Sequence, residues 1–262
     1  GSSDPEIDLR GFGKTGNQNT LILLDGQRLS EIELVGIRWS TIPLDSVERI
    51  EVLRSGGAVT YGGGATGGVI NIVTRAATPG QVTGNAGASL GSYNSIELKA
   101  ALNAASETLG LALTANSIES DNYRVNNKLR QKNLQGDLRT LLPGGKATLK
   151  FGADDQTLGL PANRTEAQLQ SDRRGTATPR DFNTRKGTYV TFGAEHAAAF
   201  GELAADLSFR DNHRTALFDD YAINGFDAKS FVDTRSDVWA FTPRIKLPHY
   251  QGAQGSGVRH EL

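Results

Sequence analysis

The chain has 262 residues, a formal net charge of −1 and no cysteine. The near-zero charge gives no argument for a nucleic-acid partner, and the lack of cysteine excludes disulfides and thiolate chemistry. With 31 glycines and 37% hydrophobic residues, the composition favours strands and turns over a helical core. The longest apolar run near the start, Leu21 to Leu24, is far shorter than the about 20 residues of a membrane-spanning helix.

The first 75 residues predict a compact group of short strands. Thr20 to Leu24 is a continuous apolar run, and Asp25-Gly26 after it is a hairpin turn signal. Ile42 to Ser46 predicts a short helical turn, and the alternation over Val47 to Arg54 predicts a strand. Val69 to Arg75, rich in β-branched residues, predicts the last strand of this group.

Two glycine clusters match the dinucleotide string G-x-G-x-x-G: Gly11, Gly13 and Gly16, and Gly62, Gly64 and Gly67. A phosphate site needs a helix whose N-terminal N–H groups hold the phosphate, whereas both clusters lead into strand-like residues. The segment Gly13-Lys14-Thr15 also lacks the earlier glycine of a P-loop, since that position is Asp8. We therefore interpret the second cluster as a conformational turn, which weighs against a soluble nucleotide-dependent enzyme.

From residue 81 onward, segments of about ten residues alternate apolar and polar side chains. Ile96, Leu98 and Leu102 share one face of such a segment, and Glu97 and Lys99 share the other. Further segments of this kind begin near residues 82, 109, 134, 147, 190, 203 and 239. Segments 89–92 and 142–146 predict tight turns, and 116–131 and 154–186 predict long polar loops.

Short turns at one end, long loops at the other and a two-residue alternation of apolar and polar side chains are typical of an outer-membrane β-barrel. Lipid offers no hydrogen-bond partners, so sheets cross it only as closed barrels. A charge on the lipid face costs about 2–4 kcal/mol at the bilayer midplane, so we expect Glu97 and Lys99 to face the lumen. A soluble sandwich with its apolar face inward gives the same alternation and remains an alternative at this point.

The first region resembles the second half of the plug domain of TonB-dependent outer-membrane receptors. The resemblance rests on IDLRGFG at 7–13, LLDGQRL at 23–29, IPLDSVERIEVLR at 42–54 and YGGGATGGVINIVTR at 61–75. One departure is Arg54-Ser55-Gly56, where the family usually has Gly-Pro after the arginine. The resemblance implies a mainly β fold, with a small α/β plug domain over 1–77 and antiparallel strands of a transmembrane β-barrel over 78–262.

Barrels of this family have 22 strands around a plugged lumen. The residues after 77 provide for about seven to nine strands at roughly 20–25 residues each, so we expect a fragment of such a barrel. The first half of the plug and the segment that contacts TonB are not recognisable in the sequence.

The resemblance implies a bacterial outer-membrane receptor that imports a scarce nutrient by energised rearrangement of the plug. The expected cargo is a ferric siderophore or another iron complex, with haem and cobalamin as other cargoes of the family. The implied partners are the TonB complex of the inner membrane, the metal chelate or similar nutrient, and outer-membrane lipid, with no cofactor, no nucleic acid and no enzymatic activity. The alternative is a passive porin or a surface adhesin.

Three arginines of the plug motifs are predicted to lock the plug to barrel glutamates: Arg10, Arg49 and Arg54. The resemblance implies this role, because family members pair plug arginines with glutamates of the barrel wall. The alternative is local pairing with Asp25, Glu48 or Glu51.

The resemblance also implies that two plug loops face the substrate. Their predicted substrate-binding residues are Lys14, Gly16, Asn17, Gln18, Arg38 and Trp39, the last two offering a charge and a stacking face. The alternative is an exposed loop, with the tryptophan packed against the wall. The loop Thr157 to Phe182 is either an extracellular gate or solvated surface.

The four histidines are not spaced like a zinc pair, and no G-x-S-x-G nucleophile motif occurs. The sequence therefore predicts neither a metal site nor a catalytic residue.

Overall fold

The computed structural model describes residues 7–13, 19–29, 37, 39, 42–54, 63–223 and 226–247. These residues form a four-stranded sheet within 20–74, here called the small sheet, and an eight-stranded sheet within 82–246, here called the large sheet. The mainly β fold predicted from the sequence is confirmed. None of the helices in the described ranges is long and apolar enough to cross a membrane.

The small sheet contains β1 (Thr20–Leu24), β2 (Gln27–Arg28), β3 (Val47–Leu53) and β4 (Gly68–Thr74), in the spatial order β2-β1-β4-β3. Strands β1 and β4 pair in parallel at its centre, and the other two pairs are antiparallel. Apolar residues of β1 and β4 are buried on both faces, as expected of central strands.

The turn between β1 and β2 follows the sequence signal. Asp25 and Gly26 both have positive φ, 52° and 81°, as a type I′ hairpin turn requires. A 3-10 turn at Leu44–Ser46 leads into β3, so the predicted short helical turn is also confirmed.

The glycine cluster before β4 is a point of close backbone contact. Gly67 donates its N–H to the Asn19 carbonyl at 2.7 Å, and a Cβ on Gly67 would lie 2.9 Å from that oxygen. Gly68 has φ +140°, and a Cβ there would lie 2.7 Å from the Leu53 carbonyl. A strand follows these glycines, which confirms the conformational interpretation and leaves no helix N-terminus for a phosphate.

The large sheet is an antiparallel meander in which every strand pairs with the next one in the chain. Its eight strands fall within the predicted seven to nine. They are β5 (Val82–Gly91), β6 (Ser95–Ala105), β7 (Leu109–Ser120), β8 (Leu129–Leu142), β9 (Gly145–Gly159), β10 (Phe182–Ala198), β11 (Gly201–Ile223) and β12 (Phe226–Lys246).

The large sheet has its polar face toward the small sheet and its apolar face outward. On β8, Asn133 is 5% exposed, whereas the next residue, Leu134, is 44% exposed. Lys99 reaches Asp45 of the small sheet at 3.6 Å, which confirms the predicted lumen-facing side of β6. This arrangement contradicts the sandwich alternative, in which the apolar faces would be buried together.

The connections of the large sheet differ between its two ends. The turns 106–108, 143–144 and 199–200 share one end, and the connections 92–94, 121–128 and 160–181 share the other. The loops predicted at 116–131 and 154–186 are shorter in the structure. β7 and β8 extend into the first of them, and β9 and β10 extend into the second. The tight turn predicted at 89–92 lies at 92–94, where Tyr93 and Asn94 have positive φ.

Candidate functional site

The candidate site is the interface between the small sheet and the inner face of the large sheet. The Asp25-Gly26 turn projects toward β8 and β9, and the 3-10 turn before β3 lies near β6 and β7. An ion pair crosses this interface, between Lys150 Nζ of β9 and Asp25 Oδ2, at 2.7 Å.

Lys150 also lies 3.4 Å from Asp137 of β8, its cross-strand neighbour. Arg139 Nε and Nη2 bind the two Asp137 oxygens at 2.6 and 2.9 Å. The side chains of Asp25, Asp137 and Lys150 are 9%, 5% and 17% exposed. Two carboxylates and two cations thus form a network with no net charge, in which Arg139, 36% exposed, is the most accessible to water.

Backbone and hydroxyl donors of the small sheet hold Asp25 in place. Thr74 donates its N–H to Asp25 Oδ1 at 2.9 Å and its Oγ1 hydroxyl to Asp25 Oδ2 at 2.7 Å. Gly26 donates its N–H to Asn71 Oδ1 at 3.0 Å. The turn is therefore fixed to β4 as well as to the wall.

Contacts on β10 and β11 extend the interface. Tyr189 packs against the core of the small sheet, and its ring occupies the space where a side chain on Gly152 would stand. Arg210 Nη1 donates to the Arg28 carbonyl at 2.7 Å. Beside these contacts, a cavity of about 760 Å³ separates 23–29 of the small sheet from the inner face of β9 to β12.

The three arginines predicted to lock the plug make their described contacts within the small-sheet region. Arg49 binds Glu48 at 2.9 Å and Glu51 at 2.8 Å. Arg10 donates to the Arg54 carbonyl, joining two of the three. Their pairing with wall glutamates is not tested by these contacts and stays a prediction.

The Arg49 pairing shifts the pKa values of exposed groups. A hydrogen bond from Asn71, and then the Arg49 guanidinium, lowers the pKa of Glu51 below its ordinary value. The same carboxylate raises the pKa of Arg49, with Glu48 adding a smaller effect.

Five of the predicted substrate-binding residues lie outside the described residues: Lys14, Gly16, Asn17, Gln18 and Arg38. Trp39 is described and is partly buried against the core that contains Ile22 and Leu24. The predicted contact of these six residues with substrate is therefore untested.

The two long connections of the large sheet bind each other through Arg124 and Asn126. Arg124 donates to the carbonyls of Pro161, Ala162 and Gly175. Asn126 Nδ2 donates to the carbonyls of Thr178 and Asp181, at 2.6 and 2.9 Å. Connection 160–181, which includes the short helix α1 (Glu166–Ser171), is therefore fixed to connection 121–128.

Aromatic side chains mark the same end of the sheet. The Arg174 guanidinium lies 5.7 Å from the Tyr93 ring centroid and 5.9 Å from that of Tyr123, within the range of cation–π contact. Arg174 Nε also donates to the Tyr123 carbonyl at 2.9 Å. Three connections, 92–94, 121–128 and 160–181, thus form one packed surface.

Sequence reasoning identified Asp25 as a turn residue and did not identify Lys150 or Arg124 as site residues. A usable signal existed for Lys150, because a lysine within an alternating strand must face away from lipid and toward the lumen. Arg124 carried no such signal, since it lies in a polar connection among other charged residues. Among the described residues, no group of three or more histidine, aspartate or glutamate side chains could hold a metal ion.

Comparisons with known proteins agree with this arrangement. Residues 1–69 match the family model of the TonB-dependent Receptor Plug Domain. The ferric enterobactin receptor of Pseudomonas aeruginosa is 31% identical over 212 residues, which cover 71% of this chain and 27% of that receptor. The vitamin B12 transporter BtuB of Vibrio cholerae serotype O1 is 38% identical over 107 residues, covering 41% of this chain and 17% of that protein.

The fold is shared with a solved structure of the ferric citrate transporter FecA in its unliganded form, at a TM-score of 0.78 and 19% identity. That match covers 95% of this chain and 39% of the other. The chain spans about a quarter of the length of the ferric enterobactin receptor that it matches, 27%. The plug-domain model matches the first 69 residues, the ferric enterobactin receptor matches 71% of this chain, and the fold is shared with FecA. The chain therefore belongs to the TonB-dependent receptors.

Proposed function

We propose that this chain belongs to a receptor that imports a ferric siderophore or another iron complex across the bacterial outer membrane. The small sheet is the described core of its plug, and the large sheet is part of its barrel wall. Energy reaches the plug through the TonB complex of the inner membrane, and the plug rearranges to admit the cargo. The proposed import is a function of the full-length receptor, which contains this chain.

One observation carries the proposal: a folded small sheet lies against the polar inner face of a sheet whose outer face is apolar. A sheet with this polarity suits lipid outside and a filled lumen inside. The long match to a ferric enterobactin receptor supports an iron chelate as the cargo.

The proposed domain boundary lies at residue 77, between β4 and β5, with the plug over 1–77 and the barrel over 78–262. The connections 92–94, 121–128 and 160–181 face the outside, since outer-membrane barrels have longer loops on that side. Arg10, Arg49 and Arg54 remain proposed locking residues. Lys14, Gly16, Asn17, Gln18, Arg38 and Trp39 remain the proposed substrate contacts of the plug.

The experiment is a deletion of the gene in the bacterium that carries it, followed by uptake of radioactive iron supplied as ferric enterobactin or ferric citrate. We expect uptake of one chelate to fall, and inactivation of TonB to abolish the same uptake. Normal uptake of every iron chelate in the deletion strain would contradict the proposal.

Vitamin B12 is the second candidate cargo, because the vitamin B12 transporter matches 107 residues of this chain. Uptake of labelled vitamin B12 in the same deletion strain tests it. A defect restricted to vitamin B12 would replace iron by cobalamin and leave the TonB-dependent mechanism in place.

A passive porin is the competing function. The contacts of Asp25 with the wall and of Tyr189 with the small sheet oppose it, since they hold the small sheet inside the lumen. Purified porin conducts ions continuously in a planar bilayer, whereas a plugged receptor conducts little. Continuous conductance by the purified protein would favour the porin.

A further inference from the structure

The polarity of the ion pair between the small sheet and the wall is the reverse of the predicted lock. The resemblance implied arginines on the plug and glutamates on the wall. In the structure, the plug contributes a carboxylate, Asp25, and the wall contributes the cation, Lys150, at 2.7 Å. We propose that Lys150 and Asp25 form a second lock, which holds the plug to the β8–β9 side of the barrel.

On the plug, the lock acts on the centre of the sheet. Asp25 follows β1 directly, and its carboxylate accepts two hydrogen bonds from Thr74 at the end of β4. β1 and β4 are the paired central strands. A force that displaces the plug core from the wall therefore has to break the contact between Asp25 and Lys150.

On the wall, the lock has a fixed base. Lys150 pairs in register with Asp137, and Arg139 binds both oxygens of Asp137. These residues belong to adjacent strands with continuous pairing from Leu129–Leu158 to Leu142–Gly145. Because this pairing fixes the backbone of Lys150, its ammonium can follow Asp25 only as far as the lysine side chain reaches.

The environment makes this contact more than a surface ion pair. Exposed pairs contribute little, whereas removing one partner of a buried pair leaves an uncompensated charge. Without Lys150, the Thr74 donors are the remaining polar contacts of the Asp25 carboxylate among the described residues, and Asp25 and Asp137 share this network with the single Arg139 guanidinium. Loss of the Lys150 charge therefore removes its attraction to Asp25 and leaves the repulsion between Asp25 and Asp137.

The test uses the receptor at full length, purified and reconstituted in planar bilayers, with conductance recorded per folded receptor. We expect Lys150→Gln to raise the frequency of open-channel events by about tenfold or more, because the plug is held less firmly. Lys150→Arg, which keeps the charge, should stay near the wild-type frequency. Asp25→Asn should behave like Lys150→Gln, and the double variant should open no more often than the single ones.

Lys146→Gln is the matched control. Lys146 lies on the same strand and pairs with Glu195 of the wall at 3.0 Å, with no ion pair to the described part of the plug. A conductance of Lys150→Gln equal to that of Lys146→Gln would overturn the lock. If Lys150→Gln fails to fold, Asp25→Asn tests the lock in its place. If the ion pair has only a structural role, the variant lowers the yield of folded receptor without raising the conductance of each receptor.

The inference rests on the proposed function only in treating displacement of the plug as the transport event. The conductance assay needs neither TonB nor a siderophore. An unchanged conductance therefore rejects the lock and leaves import standing, whereas a normal iron uptake in the deletion strain rejects import and leaves the lock standing.

Discussion

The small sheet and the large sheet place their apolar residues on opposite sides. In the small sheet, Ile22 and Val69 are almost fully buried. In the large sheet, Trp239 and Phe241 are exposed, whereas Gln135 and Asp137 are buried. Apolar strand residues thus lie in a closed core in one region and on the outer face in the other, so that apolar content alone does not reveal which surface meets lipid.

The largest effect is expected in the core of the small sheet. Ile22→Ala should lower the free energy of unfolding of the plug by about 2–5 kcal/mol, because a buried side chain is lost and a cavity remains. Pulse proteolysis in urea measures this quantity. The exposed Ile50 on β3 provides the control, and Ile50→Ala should change it by less than about 0.5 kcal/mol. Equal losses for the two variants would remove the distinction between core and surface in this sheet.

A charge on the outer face of the large sheet tests its contact with lipid. Phe241→Arg should destabilise the folded receptor by about 2–4 kcal/mol if Phe241 lies near the bilayer midplane. The folded fraction in lipid vesicles, read from heat-modifiable gel mobility, measures the effect. Its neighbour Thr242 lines the cavity on the inner face, so Thr242→Arg should be tolerated. The opposite ranking would place lipid on the wrong side of the sheet.

Beyond the apolar band, the large sheet ends in connections that depend on hydrogen bonds more than on burial. Arg124→Ala should lower the local stability of 160–181 by about 1.5–3 kcal/mol, the usual contribution of hydrogen bonds to a charged group. Hydrogen exchange of the amides of 160–181 measures this loss. Arg173→Ala, a change at an exposed position in the same connection, should leave exchange unchanged. Exchange that is unaffected by Arg124→Ala would mean that the two connections are independent.

The smallest effect concerns a carboxylate at the same end. A hydrogen bond from Asn94 Nδ2, at 2.7 Å, and then the Lys128 ammonium lower the pKa of Asp121 below its ordinary value. Because the folded-state pKa is lowered, the contribution is present above the ordinary pKa of 3.8 and is lost as the pH falls through the lowered value. Asn94→Ala should raise the pKa of Asp121, and Lys128→Gln should raise it less. An NMR titration of the carboxyl carbon measures both shifts, and an unchanged pKa in Asn94→Ala would contradict the assignment.

The sequence predicted the elements whose apolar residues form a clear pattern, either a continuous run or a strict alternation. Thr20–Leu24 is a strand with the predicted bounds, and each alternating segment after residue 81 contains a strand. Strand ends were missed where both faces are polar, as in 154–157 of β9 and 183–188 of β10, because alternation disappears there while the backbone pairing continues.

The site was less predictable than the fold, because it depends on contacts between distant residues. The Asp25-Gly26 signal predicted a turn, but its partner Lys150 lies 125 positions later, on a strand whose register the sequence does not specify. Arg49 illustrates the converse, since its partners Glu48 and Glu51 are close in the sequence and were recognised there as possible partners.

The meander of the large sheet has a consequence for biogenesis. Since each strand from β5 to β11 hydrogen-bonds to the next strand in the chain, each hairpin can form on the strand before it. Such short-range connectivity avoids the entropic barrier of joining remote segments. The hairpin of β8 and β9 can therefore form before β10 to β12 pair with it, and it already carries Lys150, which contacts Asp25 of the plug.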